Sequence, residues 1–135
     1  MEPWIGRIGQ EAQENENFRT VLFTAHHEQL VVMRLRPGED IGYEVHHHTD
    51  QFLRVEQGRA RIELGPKQDE VEGTKEVSAG WAVVVPAGVW HNVVNIGEED
   101  VKLSTLYAPP AHLDGTIHGT KADAEAAEEF ERATH

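Results

Sequence analysis

The chain has no cysteine among its 135 residues, which removes disulfides, thiolate nucleophiles and zinc–thiolate sites at once. Histidine and the carboxylates are left as its metal-binding groups. It also lacks any apolar run near the roughly 20 residues that a membrane-spanning helix needs. The opening MEPWIGRIGQEAQENEN has neither the basic start nor the apolar stretch of a secretory signal, so a soluble, unexported, cytoplasmic protein is expected. Positive charge is scarce: 12 Lys and Arg stand against 24 Asp and Glu, a formal charge of −12. Such a surface repels phosphate backbones and anionic membranes, which argues against nucleic-acid and membrane binding, and its plain role is solubility. Arg34, Arg54 and Arg61 are scattered, and no Lys/Arg cluster awaits a phosphate group. The length suits a single domain over 1–135, with a core large enough to need no staples.

What the chain has in quantity is short apolar or alternating runs. FRTVLFTA, QLVVMRLRPG, QFLRVEQG, RARIELG, GWAVVVPAG, WHNVVNIG and VKLSTLYAPP each close on Gly, Pro, Asn or acidic turn residues. Many short strands at close spacing predict an all-β sandwich or barrel. The Gln57-Gly58 pair, between two alternating runs, reads as a tight hairpin whose glycine takes positive φ. Residues 65–77, polar and containing Pro66 and Gly73, read as an exposed hairpin loop, and WAVVV as a buried strand. One helix is expected, over 121–133, rich in Ala and Glu and free of Gly and Pro; its alanine-dominated apolar side suits the outside of the barrel.

Histidine is abundant, with nine in the chain and three in succession at His46, His47 and His48. The strand period of two sends His46 and His47 to opposite faces. In QFLRVEQ the apolar face carries Leu53 and Val55, and Gln51 shares it, while Arg54 and Glu56 lie opposite. Gln51 therefore points inward at the end of its strand. An unpaired buried amide costs about 1–3 kcal/mol, so Gln51 needs a partner, and a metal ion would serve through the carbonyl oxygen.

Residues 38–58, G-EDIGY-E-V-H-HHTD-Q-FLRVEQ-G, resemble the first motif of the cupin family, G-x5-H-x-H-x4-E-x6-G, in which x3 is also permitted for x4. Every spacing is kept. Two ligand positions differ: Glu44 stands where a cupin usually has its first His, and Gln51 where it usually has Glu. Counting from His46 as the first histidine puts the glutamate position on Phe52 or Leu53, which cannot coordinate. His48, two residues after His46, stays open as a further ligand or a supporting residue; His47 is expected in solvent. Residues 80–95, G-WAVVV-P-A-G-VW-H-NVV-N, match the second cupin motif, G-x5-P-x-G-x2-H-x3-N, at every specified position. Pro86 and Gly88 suit a tight turn, after which His91, Val93 and Asn95 share a strand face.

The resemblance covers about residues 30–107 and implies a double-stranded β-helix of jelly-roll type, with a metal near one mouth. The tail and C-terminal helix, 108–135, lie outside it. It implies Glu44, His46, Gln51 and His91 as the metal ligands. It also implies a homodimer, since cupins commonly pair. Within the tail, His112, Asp114 and His118 either fold over the mouth or are exposed polar turn residues. Two imidazoles and two oxygen donors suit Mn, Fe, Ni, Co or Zn and not calcium. With Glu44 the one anionic ligand, a bound dication keeps about one positive charge and would attract an anionic or chelating small molecule. The first functional expectation is an enzyme of isomerase or lyase type acting on a carbohydrate or organic acid by Lewis-acid catalysis, with His48 or Tyr107 as general acid or base. The alternatives are an iron-dependent dioxygenase and a non-catalytic module that binds a small molecule.

Overall fold

The computed structural model describes residues 1–134, with side chains through residue 128. Its strands are β1 (Arg19–Thr24), β2 (Gln29–Leu35), β3 (Asp50–Gln57), β4 (Arg59–Gly65), β5 (Gly73–Ser78), β6 (Ala82–Val85), β7 (Trp90–Asn95), β8 (Val101–Ala108) and β9 (Ile117–His118). Helix α1 (Ile8–Glu14) precedes them and α2 (Lys121–Thr134) follows. The strands form a six-stranded sheet, in the order β6-β3-β8-β2-β1-β9, and a three-stranded sheet, β5-β4-β7, with antiparallel pairing throughout. This is the double-stranded β-helix, or jelly roll, that the motifs implied. Among the described residues no helix is long and apolar enough to cross a membrane.

Alternation builds the core. On β3 the buried residues are Gln51, Leu53 and Val55, and their neighbours Phe52 and Arg54 face out. The inward faces of the two sheets bring Leu35, Leu53, Val55, Leu103 and Val101 against Ala60, Ile62, Val77 and Val93. Segment 39–44 runs beside β7: Ile41 N donates to Val93 O at 3.1 Å, and Glu44 and His91 exchange backbone bonds of 2.9 and 2.8 Å. Glu44 is thereby fixed opposite His91.

Three local expectations need correction. Gly58 does have positive φ, at 92°, and a side chain there would meet Asp100 O at 2.8 Å. However, β3 and β4 do not pair. Their apolar faces oppose each other from different sheets, so Gly58 is the corner at which the chain changes sheet. Residues 65–77 are not all loop, because Gly73–Ser78 is β5, paired along β4 with Ile62 opposite Lys75. It is an edge strand with only Val77 buried, which is why its sequence shows no apolar alternation. WAVVV is an edge strand too: β6 pairs only with β3, Val85 is buried, and Val84 is 68 % exposed. Its β-branched residues follow strand propensity without being covered on both faces.

The expected C-terminal helix is α2, starting at Lys121. A capping box opens it: Asp123 N donates to Thr120 Oγ1 at 3.1 Å, and Thr120 N to Asp123 Oδ2 at 3.2 Å. It lies outside the barrel and buries Ala124 against the core. The N-terminal helix α1 was not foreseen. With Arg7 preceding it and no side-chain cap, it carries only Glu11 in its first turn as a start signal, and it seats Ala12 against the large sheet.

Candidate metal centre

At one end of the barrel the inward faces stop being hydrocarbon. Gln51 on β3, His91 on β7 and Tyr107 on β8 are buried there, joined by Glu44 and His46 from the segment before β3. Ligand atoms of Glu44, His46 and His91 lie within 4.8 Å of one another. His46 Nε2 is 3.4 Å and His91 Nε2 3.7 Å from Glu44 Oε1, and Gln51 Oε1 is 3.1 Å from His91 Nε2. Donor atoms about 2.1 Å from a shared ion, at tetrahedral or octahedral angles, sit about 3.0–3.5 Å apart, so these spacings suit one coordination sphere.

The hydrogen-bond roles can be worked out one group at a time. His91 Nδ1 lies 3.0 Å from Val89 O, and a carbonyl only accepts, so Nδ1 carries the proton and Nε2 presents a lone pair. Such a carbonyl contact is the usual way a metal-binding imidazole is oriented. Thr105 Oγ1 donates to Phe52 O at 3.0 Å and accepts from Gln51 Nε2 at 3.0 Å, which turns Gln51 Oε1 toward His91. His46 Nε2 is buried and makes no hydrogen bond. Four groups thus converge, and His91 Nε2 faces only acceptors: the Glu44 carboxylate, the Gln51 amide oxygen, His91 Nε2 and the buried, unbonded His46 Nε2. A proton on His91 Nε2 would relieve this, but burial pushes the pKa of His91 below its ordinary value, and His46 adds to that against the opposing pulls of Val89 O and Glu44. The donor set fits a divalent cation, with nitrogen and oxygen ligands of intermediate hardness.

The remaining candidates separate clearly. The chain bends at 47–48, leaving His47 and His48 exposed, so His48 does not continue the inward face beyond His46. Tyr107 is 2 % exposed, and its ring packs edge-on to His46 at 5.6 Å and to His112 at 5.1 Å. Burial pushes its phenol up to about 12. The tail folds over this end: His112 N donates to Gln29 Oε1 at 3.0 Å, and Gln29 Nε2 to His112 O at 2.8 Å. Asp114 stays exposed, and His118 meets Arg19. The site opens toward solvent beside Glu44 and His46, whose side chains are 29 % and 21 % exposed.

Sequence reasoning missed Thr105, which orients Gln51, and Arg19, whose guanidinium is buried beneath the tail. Period two gave a signal for each. Thr105 shares its strand face with Leu103 and Tyr107, and Arg19 shares one with Val21.

Comparison with known proteins agrees with this fold. The Cupin domain family matches residues 31–107. The chain is 48 % identical over 127 residues to the protein YrkC of Bacillus subtilis, covering 94 % of this chain and 68 % of that one. BH2720 of Bacillus halodurans, a solved structure, is 46 % identical with a TM-score of 0.91, over 93 % of this chain and 95 % of that one. A likeness of fold alone reaches the oxalate decarboxylase of Bacillus subtilis, a protein with Mn(II) centres: 17 % identity, TM-score 0.57, over 70 % of this chain and 24 % of that one. Since the matched domain spans the strands that carry the site, and the match to YrkC runs along nearly the whole chain, the protein belongs to the cupin family.

Proposed function

We propose that Glu44, His46, Gln51 and His91 hold a divalent transition metal, and that the protein is a small metalloenzyme acting on an organic acid or carbohydrate. The observation that carries this is the convergence of these four groups, with His91 Nε2 facing only acceptors and His46 Nε2 buried without a hydrogen-bond partner. Manganese and iron fit the mixed donor set best, and the Mn(II) centres of oxalate decarboxylase, on the same fold, favour manganese. Bound there, the metal would supply Lewis-acid polarisation of a carbonyl or hydroxyl.

The chain's own groups constrain the chemistry further. Glu44 is the one anion in the set, so a chelating anionic ligand is attracted and not repelled. Gln51 is held by Thr105 and cannot turn its amide toward the site without breaking that bond. Burial pushes the phenol of Tyr107 up to about 12, which favours a proton donor or an apolar wall over a base. His48, in solvent, is poorly placed for proton transfer at this site.

The test is metal content by mass spectrometry of protein purified without a nickel column, for the wild type, Glu44→Gln and His91→Ala. About one metal per chain is expected in the wild type, and at least a ten-fold reduction in each variant. A wild type that neither carries metal nor takes up added Mn, Fe, Co or Zn sinks the reading. If metal is present, thermal-shift screening against organic and sugar acids, followed by assays for turnover, distinguishes an enzyme from a binding module. Oxygen consumption with an iron-loaded sample would move the reading to a dioxygenase.

A further inference from the structure

Among the described residues β6, β9, β5 and β7 stand at the edges of the two sheets, and three of them are guarded against further pairing. β9 is two residues long. β5 carries Lys75 and Glu76, both exposed. β7 is flanked by segment 39–44 through the Asp40–Val94 and Glu44–His91 bridges. β6 has no such guard: it pairs on one side only, with β3, and the run from Trp81 to Val85 is free of charge, proline and glycine. Its exposed surface is apolar as well, since Val84 is 68 % and Trp81 47 % exposed, and Phe52 beside Val84 is 40 % exposed. An uncharged, apolar strand edge is a template for another strand.

The β3 register decides where the backbone groups of β6 point. Val55 N donates to Trp81 O at 2.9 Å, so by alternation Trp81, Val83 and Val85 turn their backbone groups toward β3. Ala82 and Val84 then turn N–H and C=O to the open side. An antiparallel copy of the same strand uses all of these groups in one register: Ala82 opposite Val84 of the second copy, with a two-fold axis between the two Val83 residues. Centring the axis on Val84 puts Ala82 opposite Pro86, which has no N–H to donate. Centring it on Ala82 puts Val84 opposite Gly80, whose N–H is already held by Val55 O at 2.9 Å. In the remaining register Trp81 lies opposite Val85 of the second copy, which covers its exposed indole.

We infer that the protein forms a two-fold dimer in which β6 pairs antiparallel with β6 of a second copy, joining the two six-stranded sheets edge to edge. This does not depend on the metal reading. Charge favours this edge, because two chains of net charge −12 repel each other over most of their surface and the run 81–85 brings no acid to the axis. The charges closest to it on the described strands are basic or paired: Lys75 lies over the Trp81 ring at 5.6 Å, and Arg54, opposite Ala82, is held by Glu56 at 2.6 Å. A strand of another protein could satisfy the same backbone groups, but the match of Ala82 to Val84, bounded by Gly80 and Pro86, is one that this strand makes with itself. The joined edges are short, four residues a side, so the dimer stands at the small end of interface sizes and forms in a concentration-dependent way.

The experiment is sedimentation equilibrium of the full chain between about 10 µM and about 1 mM, a range that reaches weak interfaces. The wild type should pass from monomer to dimer and stop there. Val84→Lys changes an exposed side chain and charges the edge, so it should weaken the dimer about ten-fold or more with an unchanged thermal melt. Because the chain has no cysteine, one introduced thiol reports the register. Opposed residues of a non-hydrogen-bonded pair have Cα atoms about 4.5 Å apart, within reach of a disulfide. Val83→Cys should therefore link most chains into covalent dimers on mild oxidation, and Leu113→Cys, exposed and away from β6, should link few. A wild type that stays monomeric at the highest concentration overturns the dimer. Growth beyond two chains overturns the two-fold closure. Association that survives Val84→Lys undiminished, or a Leu113→Cys chain that links as readily as Val83→Cys, overturns the β6 edge as the contact.

Discussion

His91 and Asn95 lie on the same inward face of β7, both buried, and their surroundings treat them in opposite ways. Asn95 has its polar atoms occupied: its amide donates to Leu35 O at 3.0 Å and Glu99 O at 2.9 Å, and Oδ1 accepts from Gly97 N at 2.9 Å. Those bonds tie the turn after β7 to the end of β2. His91 Nε2 instead faces Gln51 Oε1 and Glu44 Oε1, and neither can donate to it. A buried polar group with its bonds made belongs to the architecture; one facing only acceptors is incomplete until a cation arrives. The same division runs along β3 and β8, where Gln51 and Tyr107 occupy the level of His91 while Val55 and Leu103 lie deeper in hydrocarbon. The inward face is continuous, but its chemistry changes with level along the strands.

If the two levels carry separate duties, substitutions at each should have separate effects. The largest is expected at the apolar level, where Leu103 is 2 % exposed. Leu103→Ala should cost about 2–5 kcal/mol in urea unfolding through lost burial and a residual cavity, with metal content unchanged. Next is Asn95→Ala, which leaves Leu35 O, Glu99 O and Gly97 N without their partner and should cost about 1–3 kcal/mol, again with metal retained. Metal loss in either variant would break the division.

A smaller effect depends on pH. The pKa of His112 falls from 6.5 to about 3 on folding, chiefly through burial. Above 6.5 neither state is protonated and His112 contributes no pH dependence. As pH falls from there toward 3, the unfolded chain binds a proton that the folded chain does not, so stability is lost. The limiting slope is about 1.4 kcal/mol per pH unit. His112→Gln should therefore flatten the decline between about pH 6 and 5 by about 1 kcal/mol, measured by unfolding at each pH. An unchanged decline would mean that the imidazole protonates freely beneath the tail.

The smallest effect concerns the acceptor group itself. Glu44→Gln places an amide donor among acceptors, so the metal-free protein should hold its stability or gain up to about 1 kcal/mol while metal binding is lost. A clear loss of stability in metal-free Glu44→Gln would show that the carboxylate serves the fold and not a cation.

Much of the site was legible because strand alternation is a local property. Period two was enough to turn Gln51 inward beside Leu53 and Val55, and to set His91 on the face of Val93. The second motif, with Pro86 and Gly88 before His91, located the turn that holds His46: Gly88 N donates to His46 O at 2.9 Å. His48 was not legible in this way, because the bend at 47–48 ends the alternation that would have turned it inward. His112 was ambiguous for a related reason. In sequence it sits among turn residues, and only the folded tail carries it onto Tyr107.

Local patterning, then, decided which faces turn inward and where the chain turns, since each depends on neighbours a few positions away; that Glu44, His46, Gln51 and His91 meet was implied only by the resemblance to the cupin motifs. Pairing between distant segments decided the rest. Gly58 is a corner and not a hairpin because β3 finds β8 and β6 while β4 finds β5 and β7. Arg19 and His112 come under one cover because the tail returns across the barrel, with His118 paired opposite Arg19. Such contacts join residues nearly a hundred positions apart, and no pattern of residues along the chain encodes which partner each will meet.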